Sequence, residues 1–334
     1  MNDKKPGARL PPSPYLPPFS RHFLGPRYWG LWIGLGFLWL LSYLPGSLRR
    51  RLGAWVGDQA FRRNHKRRAI VETNLAWCFP EKNEAERREL AVGFFRNMGR
   101  CMFDYGALWW GSQRRLKGML DLEGEEHLRP HLEAGRPVIL LTCHHVTLDA
   151  AGLAYNLRHP AASIFKEGRN DLLNWFIARG RSRLGGLNFE REESMRPVVK
   201  ATRSGYALFY LPDEDLGPDR SVFAPFFGIP AATIPTLSRL TKLCRAAVVP
   251  FMAYYHPETG HYTARLLPAL EGYPSGDEVA DAAHMNRAIE EIIRLAPEQY
   301  MWSLRIFQTR PDGSPPPYEM ASWPGSGHRE RPEG

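Results

Sequence analysis

Two adjacent histidines followed by an aspartate are the residues of this sequence best suited to acid–base chemistry. In the segment VILLTCHHVTLDAAG, an apolar run ends at His144 and His145, and Asp149 comes shortly afterwards. Histidine is the side chain most easily used as a base near neutral pH, and a nearby carboxylate commonly holds its ring in one orientation. The pattern indicates a general base, His144, with Asp149 as its orienting partner.

The spacing of this HX4D pair is not specific by itself. With 11 histidines and 35 acidic residues in 334 positions, about one such pair is expected by chance, and a second occurs at His328 and Glu333. The position of the first pair distinguishes it from the second. His144 follows a predicted strand, and α/β sheets bind ligands at the carboxyl ends of strands. The partners can meet only if a helix begins near Thr147. A hydrogen-bonded pair without chemistry is the alternative.

Signatures of several other chemistries do not occur in the sequence. It contains no GxSxG nucleophile elbow, no GxxxxGK[ST] phosphate loop and no GxGxxG dinucleotide motif. The four cysteines form no CxxC pair, and a zinc ion on His144, His145 and Asp149 would lack a second ligand cluster. We therefore expect no metal and no cofactor, and a base that deprotonates a substrate hydroxyl directly.

A second group of candidate residues lies in YLPDEDLGPDRSVFAPFFGIPAATIP, residues 210–235. A predicted strand ends before Asp213 and Asp215, and a loop with Phe223, Phe226 and Phe227 follows. Acids at a strand end beside aromatic residues suggest a polar active-site rim next to a surface for an acyl chain. The alternative is a turn with solvated acids and ordinary core phenylalanines.

The N-terminal region carries the features of a membrane anchor. Residues 1–27 are rich in proline and basic residues and predict a disordered leader. The uncharged segment YWGLWIGLGFLWLLSYL (28–44) would span roughly 25 Å as a helix, slightly less than a hydrocarbon core. We predict an anchor helix over 28–46, spanning or deeply inserted, rather than a signal peptide or a core helix. Because the denser basic cluster follows this segment, the bulk of the chain is expected in the cytoplasm.

The remaining sequence predicts one α/β catalytic domain over residues 47–312, with a mainly parallel central sheet flanked by helices. Its part 47–117 shows helical spacing of apolar residues, and its part 118–312 alternates short apolar runs with amphipathic stretches. Residues 313–334 predict a flexible tail. Strands are predicted at 137–142, 161–166, 207–211, 246–254 and 262–267, and helices between them at 171–185, 194–205 and 236–246.

The net charge of +9 favours a polyanionic partner such as nucleic acid, an anionic membrane surface, a phosphorylated lipid or an acidic protein. Nucleic acid is not predicted, because the basic residues are dispersed and no recognition motif is present.

Taken in order, six sequence elements resemble the late acyltransferases of lipid A biosynthesis, the lauroyl and myristoyl transferases of Gram-negative bacteria, within the glycerolipid acyltransferase superfamily. They are the aromatic anchor, NLAWCFP (74–80), the HX4D strand end, PDEDLG (212–217), FAPFFGIPAAT (223–233) and PEQYMWSLRIFQTRP (297–311). Asp149, Lys166 and Glu214 stand where that family more often has Glu, Arg and Gln.

This resemblance implies transfer of a fatty acyl chain from the phosphopantetheine thioester of acyl carrier protein to a hydroxyl of a lipid A precursor. His144 would be the base and Asp149 its partner, and Lys166, Arg179, Arg181 or backbone N–H groups would be candidate oxyanion donors. The implied partners are acyl carrier protein, a membrane lipid and the membrane surface. The implied location is the bacterial inner membrane, with the catalytic domain facing the cytoplasm.

Three alternatives remain at this point. The acceptor could be another membrane lipid, such as a lysophospholipid, an ornithine lipid or a polyene lipid. The chain could instead be a metal-dependent phosphoesterase of the membrane surface, or a scaffold without activity. The segments LGPDRS and ATIPTLSRLTKLCRA favour the myristoyl-transferring branch of the resembled family, while the acyl chain length itself is not determined.

Overall fold

The computed structural model describes residues 15–191 and 195–319. Within these ranges the helices are α1 (Trp29–Leu41), α2 (Gly46–Arg63), α3 (His65–Cys78), α4 (Glu84–Trp110), α5 (Gln113–Lys117), α6 (Glu125–Glu133), α7 (Leu148–Asn156), α8 (Asp171–Ser182), α9 (Arg196–Arg203), α10 (Thr236–Cys244) and α11 (Glu278–Leu295). The strands are β1 (Leu120–Glu123), β2 (Val138–Leu141), β3 (Ala161–Phe165), β4 (Leu187–Glu190), β5 (Ala207–Tyr210), β6 (Val222–Phe226), β7 (Ile229–Thr233), β8 (Ala247–His256) and β9 (His261–Leu266).

Parts of the predicted leader and tail, residues 1–14 and 320–334, lie outside the described residues, and so does the chance pair His328 and Glu333. The domain boundaries stay a prediction.

The central sheet of the described chain has seven strands in the order β1-β9-β8-β2-β5-β3-β4. Every neighbouring pair is parallel except β8 with β9, which are antiparallel. β2 is the central strand and is buried along its whole length, as expected for a parallel strand covered by helices on both faces. The α/β class and the mainly parallel sheet are therefore confirmed, and the five predicted strands correspond to β2, β3, β5, β8 and β9.

The N-terminal helices form a layer whose closest packing depends on glycine. α2 and α4 approach so closely that a Cβ at Gly99 would overlap the backbone oxygen of Gly53. Such contact is open only to residues without a side chain. Asn83 begins α4 with a capping box, in which its side chain accepts a hydrogen bond from the backbone of Glu86. The C-terminal turns of α4 carry Tyr105, which bonds to Asp149 of α7, and Trp109, which lines the main cavity.

The predicted anchor helix is not supported. α1 has 13 residues, so it is about 20 Å long, well below the roughly 30 Å of a hydrocarbon core. Within the described residues, no helix combines the length and apolar character needed to cross a bilayer. The chain turns at Ser42–Leu44, and Pro45 precedes a new helix, α2. α1 also packs on α4, where the backbone oxygen of Leu38 lies against Gly106.

Candidate active site

The register of two neighbouring strands brings the central side chains of the site together. β2 pairs with β5 in parallel, with Leu141 opposite Tyr210. His144 and Asp213 each come three residues after this pair, at the same edge of the sheet. Because carboxyl ends of parallel strands meet at one edge, the two residues become neighbours.

Asp213 holds His144 by two hydrogen bonds. One carboxylate oxygen lies 2.8 Å from the ring Nδ1 of His144, and the other accepts the backbone N–H of His144 at 2.8 Å. Asp213 is ionised, because the charge and hydrogen bonds of His144 lower its pKa although burial acts to raise it. A carboxylate on Nδ1 selects the tautomer in which Nδ1 carries the proton, so Nε2 is left as the basic nitrogen.

The His144 side chain lines the cavity and has a raised pKa. Its side chain is 27% exposed, and Nε2 lies 3.8 Å from Glu214, which is itself bonded to Arg191 at 2.7 Å. Burial acts to lower the pKa of His144, but the charge and hydrogen bond of Asp213 and the charge of Glu214 outweigh burial and raise this pKa above its ordinary value. The ring therefore accepts a proton more readily than a free histidine does.

His145 has a structural role. Its Nδ1 is 2.6 Å from the Thr147 hydroxyl, and burial lowers its pKa to about 3, so the ring stays neutral. Within the described residues, no group of three metal-binding side chains is found. The C-terminal segment also fastens this loop, because the backbone of Met301 donates to His144 at 2.9 Å and His145 forms a bridge with Tyr300.

The predicted pairing of His144 with Asp149 is wrong in this structure. Asp149 lies in the first turn of α7, and its two oxygens accept hydrogen bonds from Arg181 Nε and the Tyr105 hydroxyl, both at 2.7 Å. Although burial acts to raise the pKa of Asp149, the Arg181 charge and these hydrogen bonds lower it. Asp149 lines the same cavity as His144, but its carboxylate is committed to α4 and α8.

Replacing Asp149 by asparagine should destabilise the fold by on the order of 3 kcal/mol at neutral pH, because Arg181 would lose its only carboxylate partner among the described contacts. A lowered carboxyl pKa adds stability above the ordinary pKa of about 4, and this stability is lost as pH falls through the lowered value. Urea unfolding from neutral to acid pH should therefore show the difference between wild type and variant shrinking.

The control for this prediction is Asp58→Asn, which removes the more exposed ion pair with Arg96. Its cost should stay below about 1 kcal/mol. A difference for Asp149→Asn that is as small, or that does not change with pH, would contradict the assigned role of the Asp149–Arg181 pair.

His144 lines a cavity of about 940 Å³, and part of this cavity is an apolar slot. The slot is lined by Leu148 and Gly152 of α7, by Ile177 and Gly180 of α8, and by Trp109 of α4. A Cβ at Gly152 would meet no atom within 4 Å, so this glycine leaves the slot open. The volume and the apolar lining are typical of sites for small organic or lipid ligands.

The remaining predicted polar candidates separate into three groups. Lys166 is exposed at the rim of the cavity, and Arg181 lines its wall. Arg179 instead lies over the Trp175 ring at 4.6 Å. Asp215 is also outside the cavity lining, where it accepts hydrogen bonds from the backbone and hydroxyl of Thr309 at 2.6 and 2.7 Å. Only Lys166 and Arg181 of this set therefore stay candidates for contact with substrate.

The predicted acyl-chain surface is also corrected. Phe226 and Phe227 are buried in the core, where Phe227 packs against Phe79 and Trp302. Phe223 is partly buried on the β6–β7 hairpin, and the hairpin residue that reaches the cavity is Val222. An aromatic run in a loop does not reveal which face of the hairpin its side chains occupy, and here the buried face meets α11 rather than the cavity.

Sequence reasoning missed several cavity residues. Trp109 and Gly152 had no signal, because helical spacing does not distinguish a core face from a ligand-binding face. Arg191, Arg220 and Arg239 line the cavity near its exposed rim and come from three separate loops or helices. Their dispersal along the sequence concealed the cluster.

Together these features describe an α/β protein in which a buried carboxylate holds a histidine on the wall of a cavity with an apolar slot. The model of the bacterial lipid A biosynthesis acyltransferase family matches residues 16–309. The chain belongs to this family.

Curated relatives match over nearly their whole length. The lipid A biosynthesis lauroyltransferase of Escherichia coli is 36% identical over 304 residues, covering 91% of this chain and 99% of the relative. A lipid A biosynthesis acyltransferase of Haemophilus influenzae is 35% identical, covering 94% and 98%. The Escherichia coli lipid A biosynthesis myristoyltransferase is 32% identical, covering 92% and 95%. These identities do not favour the myristoyl-transferring branch over the lauroyl-transferring one.

Among solved structures, the 1-acyl-sn-glycerophosphate acyltransferase PlsC of Thermotoga maritima matches with a TM-score of 0.33 and 14% identity, covering 68% of this chain and 95% of that structure. This likeness is too low to support a conclusion.

Proposed function

We propose that this protein transfers a fatty acyl chain from acyl carrier protein to a hydroxyl of a lipid A precursor, with His144 as general base. The observation that carries the proposal is the hydrogen-bonded His144–Asp213 pair, whose histidine lines the cavity that contains the apolar slot, in a chain of this family. The names of the relatives, all transferases or acyltransferases of lipid A biosynthesis, support the class of acceptor.

In the proposed reaction, Nε2 of His144 takes the proton of the acceptor hydroxyl as its oxygen attacks the thioester carbonyl. Asp213 stabilises the imidazolium that forms. Collapse of the tetrahedral intermediate breaks the carbon–sulfur bond, and the imidazolium returns its proton to the departing thiolate. The products are the ester and the free thiol of acyl carrier protein, so the reaction balances without an acyl-enzyme. Cys143, beside His144, is not a suitable nucleophile for an acyl-enzyme, because burial raises the pKa of its thiol.

Arg181 is the proposed charge that faces the developing oxyanion. It lines the cavity together with His144, and its Nε is bonded to Asp149, so its position is fixed before substrate binds. Preorganised donors of this kind stabilise a tetrahedral oxyanion more than its planar precursor. In this proposal Asp149 and Tyr105 are positioning residues for Arg181 rather than partners of the histidine.

The charged side chains at the cavity rim suit the two proposed substrates. Lys166, Arg220 and Arg239 are exposed cations around the cavity, although Asp219 and Glu278 lie among them. Cations here would attract the phosphates of a lipid A precursor and the acidic surface of acyl carrier protein.

α1 is proposed to lie in the membrane surface rather than to cross the bilayer. Trp29, Ile33, Phe37 and Leu40 form an exposed apolar face along this helix. We propose the inner membrane as its location, with the catalytic domain on the cytoplasmic side, where acyl carrier protein is available.

The test is acyl transfer by the purified full-length protein. It should be incubated with acyl carrier protein carrying lauroyl, myristoyl or palmitoyl chains and with a tetraacylated, phosphorylated glucosamine disaccharide, and the products measured by mass spectrometry. We expect one additional acyl chain on the disaccharide. Lysophosphatidic acid and lyso-ornithine lipid serve as competing acceptors. Transfer to either of these in preference to the disaccharide would overturn the proposed acceptor.

A further inference from the structure

A second cavity, of about 280 Å³, lies where the N-terminal helices meet the turn between β8 and β9. Arg49, Arg50 and Arg115 line it, with Asp104 as a carboxylate on the same wall. Among the described residues, this cavity and the catalytic cavity share no lining residue. It is therefore a separate feature, and nothing in the proposed reaction uses it.

The positive charge of this cavity is only partly compensated. Asp104 is fully engaged, since Arg49 Nε donates to one oxygen at 2.5 Å and the Tyr262 hydroxyl donates to the other at 2.8 Å. Among the described contacts, the Arg50 guanidinium donates only to the backbone oxygens of Glu258 and Thr259. The Arg115 guanidinium donates only to the backbone oxygen of Ser42. Three guanidinium groups thus share one carboxylate.

Two further observations point to an anion as the ligand. Arg115 has a lowered pKa, because it is partly desolvated and because the charge of Arg49 repels it, a repulsion that a bound anion would relieve. α2 also begins at the cavity wall with Gly46, and its first turn has no side-chain cap and no acidic residue. Its free backbone N–H groups add to the positive potential.

The other titratable groups around the cavity do not cancel this charge. His261 lines the cavity and lies 4.0 Å from the exposed Asp121. The side chain of Glu258 is exposed on the β8–β9 turn.

The position of this cavity beside exposed apolar side chains favours a lipid headgroup as the source of the anion. It lies at the turn that follows α1, where Leu40, Tyr43 and Leu48 are 59%, 69% and 44% exposed. Apolar side chains beside arginines are the composition of surfaces that bind the headgroup region of anionic membranes. Guanidinium groups bind phosphate oxygens by paired, charge-assisted hydrogen bonds.

We propose that Arg49, Arg50 and Arg115 form a phosphate-binding site that receives the headgroup of an anionic phospholipid, distinct from the acyl acceptor. This site fixes the depth and rotation of the protein at the membrane surface. It rests on the cavity and its charges, and does not depend on the proposed reaction.

The experiment measures vesicle binding by flotation, using phosphatidylcholine vesicles with and without phosphatidylglycerol. The test variant is Arg50→Gln with Arg115→Gln. The matched control is Arg51→Gln with Arg114→Gln, which removes the same charge from adjacent, exposed positions that do not line the cavity. We expect the test variant to lose at least about tenfold more of the phosphatidylglycerol-dependent affinity than the control.

A second arm separates the lipid from free phosphate. In phosphorus NMR, glycerol phosphate should be broadened by wild type and by the control, and not by the test variant. If glycerol phosphate binds but the vesicle affinities of the two variants are equal, the ligand is a soluble phosphate ester and the lipid assignment is overturned. Equal affinities with no broadening would overturn the site itself.

Stability of the variants is checked by thermal unfolding, because Arg50 and Arg115 also bond to backbone carbonyls. Should the double variant not fold, Arg115→Gln compared with Arg114→Gln gives the same two readouts. Arg50→Lys with Arg115→Lys, which keeps both charges, is expected to retain most of the phosphatidylglycerol dependence.

Discussion

The variant His144→Asn should lose acyl transfer by about a thousandfold or more while remaining folded. An asparagine amide can still donate to Asp213, but it offers no basic nitrogen at the position of Nε2. Removal of a general base costs about 10²–10⁴ in rate, and a thousandfold loss corresponds to roughly 4 kcal/mol in the activation free energy. The measurement is kcat with purified protein, alongside a thermal unfolding curve that matches wild type.

His256→Asn is the control for this prediction. His256 is exposed at the end of β8 and is bonded to Thr263 at 2.9 Å, so the same substitution there should leave the rate unchanged. Near wild-type turnover by a folded His144→Asn protein would exclude this histidine as the base, whatever the acceptor proves to be.

The second large effect is expected from Asp213→Asn. The amide would present an N–H to Nδ1 of His144, so the ring would adopt the tautomer that places its proton on Nε2, where the base is needed. The rate should therefore fall by about 10³–10⁴. Because the charge of Asp213 raises the pKa of His144, its removal should also move the acidic limb of the pH–rate profile to lower pH.

The direction of this shift follows from the role of the base. The proposed reaction needs unprotonated His144, so the wild-type rate falls as pH drops below the raised pKa of this histidine. A variant with a lower pKa keeps its base unprotonated to lower pH, although its maximal rate is much smaller.

Asp215→Asn is the matched control, since it makes the same chemical change two residues away. Asp215 is bonded to Thr309 and to the backbone of Gly217, so we expect lower stability without a shift in the profile. Equal shifts in the two variants would show that Asp213 has no special connection to His144.

The candidate base, His144, could be selected from the sequence, but the carboxylate that holds it in the structure could not. The strand before His144 and the strand before Asp213 were both predicted, and both residues follow their strands at the same offset. The sequence does not show that β2 and β5 are neighbours, because α7, β3, α8, β4 and α9 lie between them along the chain. The nearer carboxylate, Asp149, was chosen because proximity in sequence was the only distance available.

The fold class could be predicted because alternating strands and helices have distinct periodicities. Whether residues 28–44 form an anchor helix could not be predicted in the same way, since hydropathy depends on composition and does not show where a helix ends. Residues 28–44 have the composition of a membrane segment, but the chain turns after Leu41 and the helix packs on Gly106 of α4. The cavity-lining arginines were not predicted, because they come from separate elements and are far apart in the sequence.

The bond from Met301 to the backbone of His144, and the bridge between Tyr300 and His145, have a consequence for biosynthesis. A ribosome adds about 5–20 residues per second, so the histidine emerges many seconds before the segment that fastens its loop. The nascent chain therefore gains these contacts to the histidine loop only after residues 300 and 301 have been synthesised. Truncated polypeptides that end before residue 300 but contain β2, β5, His144 and Asp213 would lack these contacts, so we expect their histidine loop to be less firmly held.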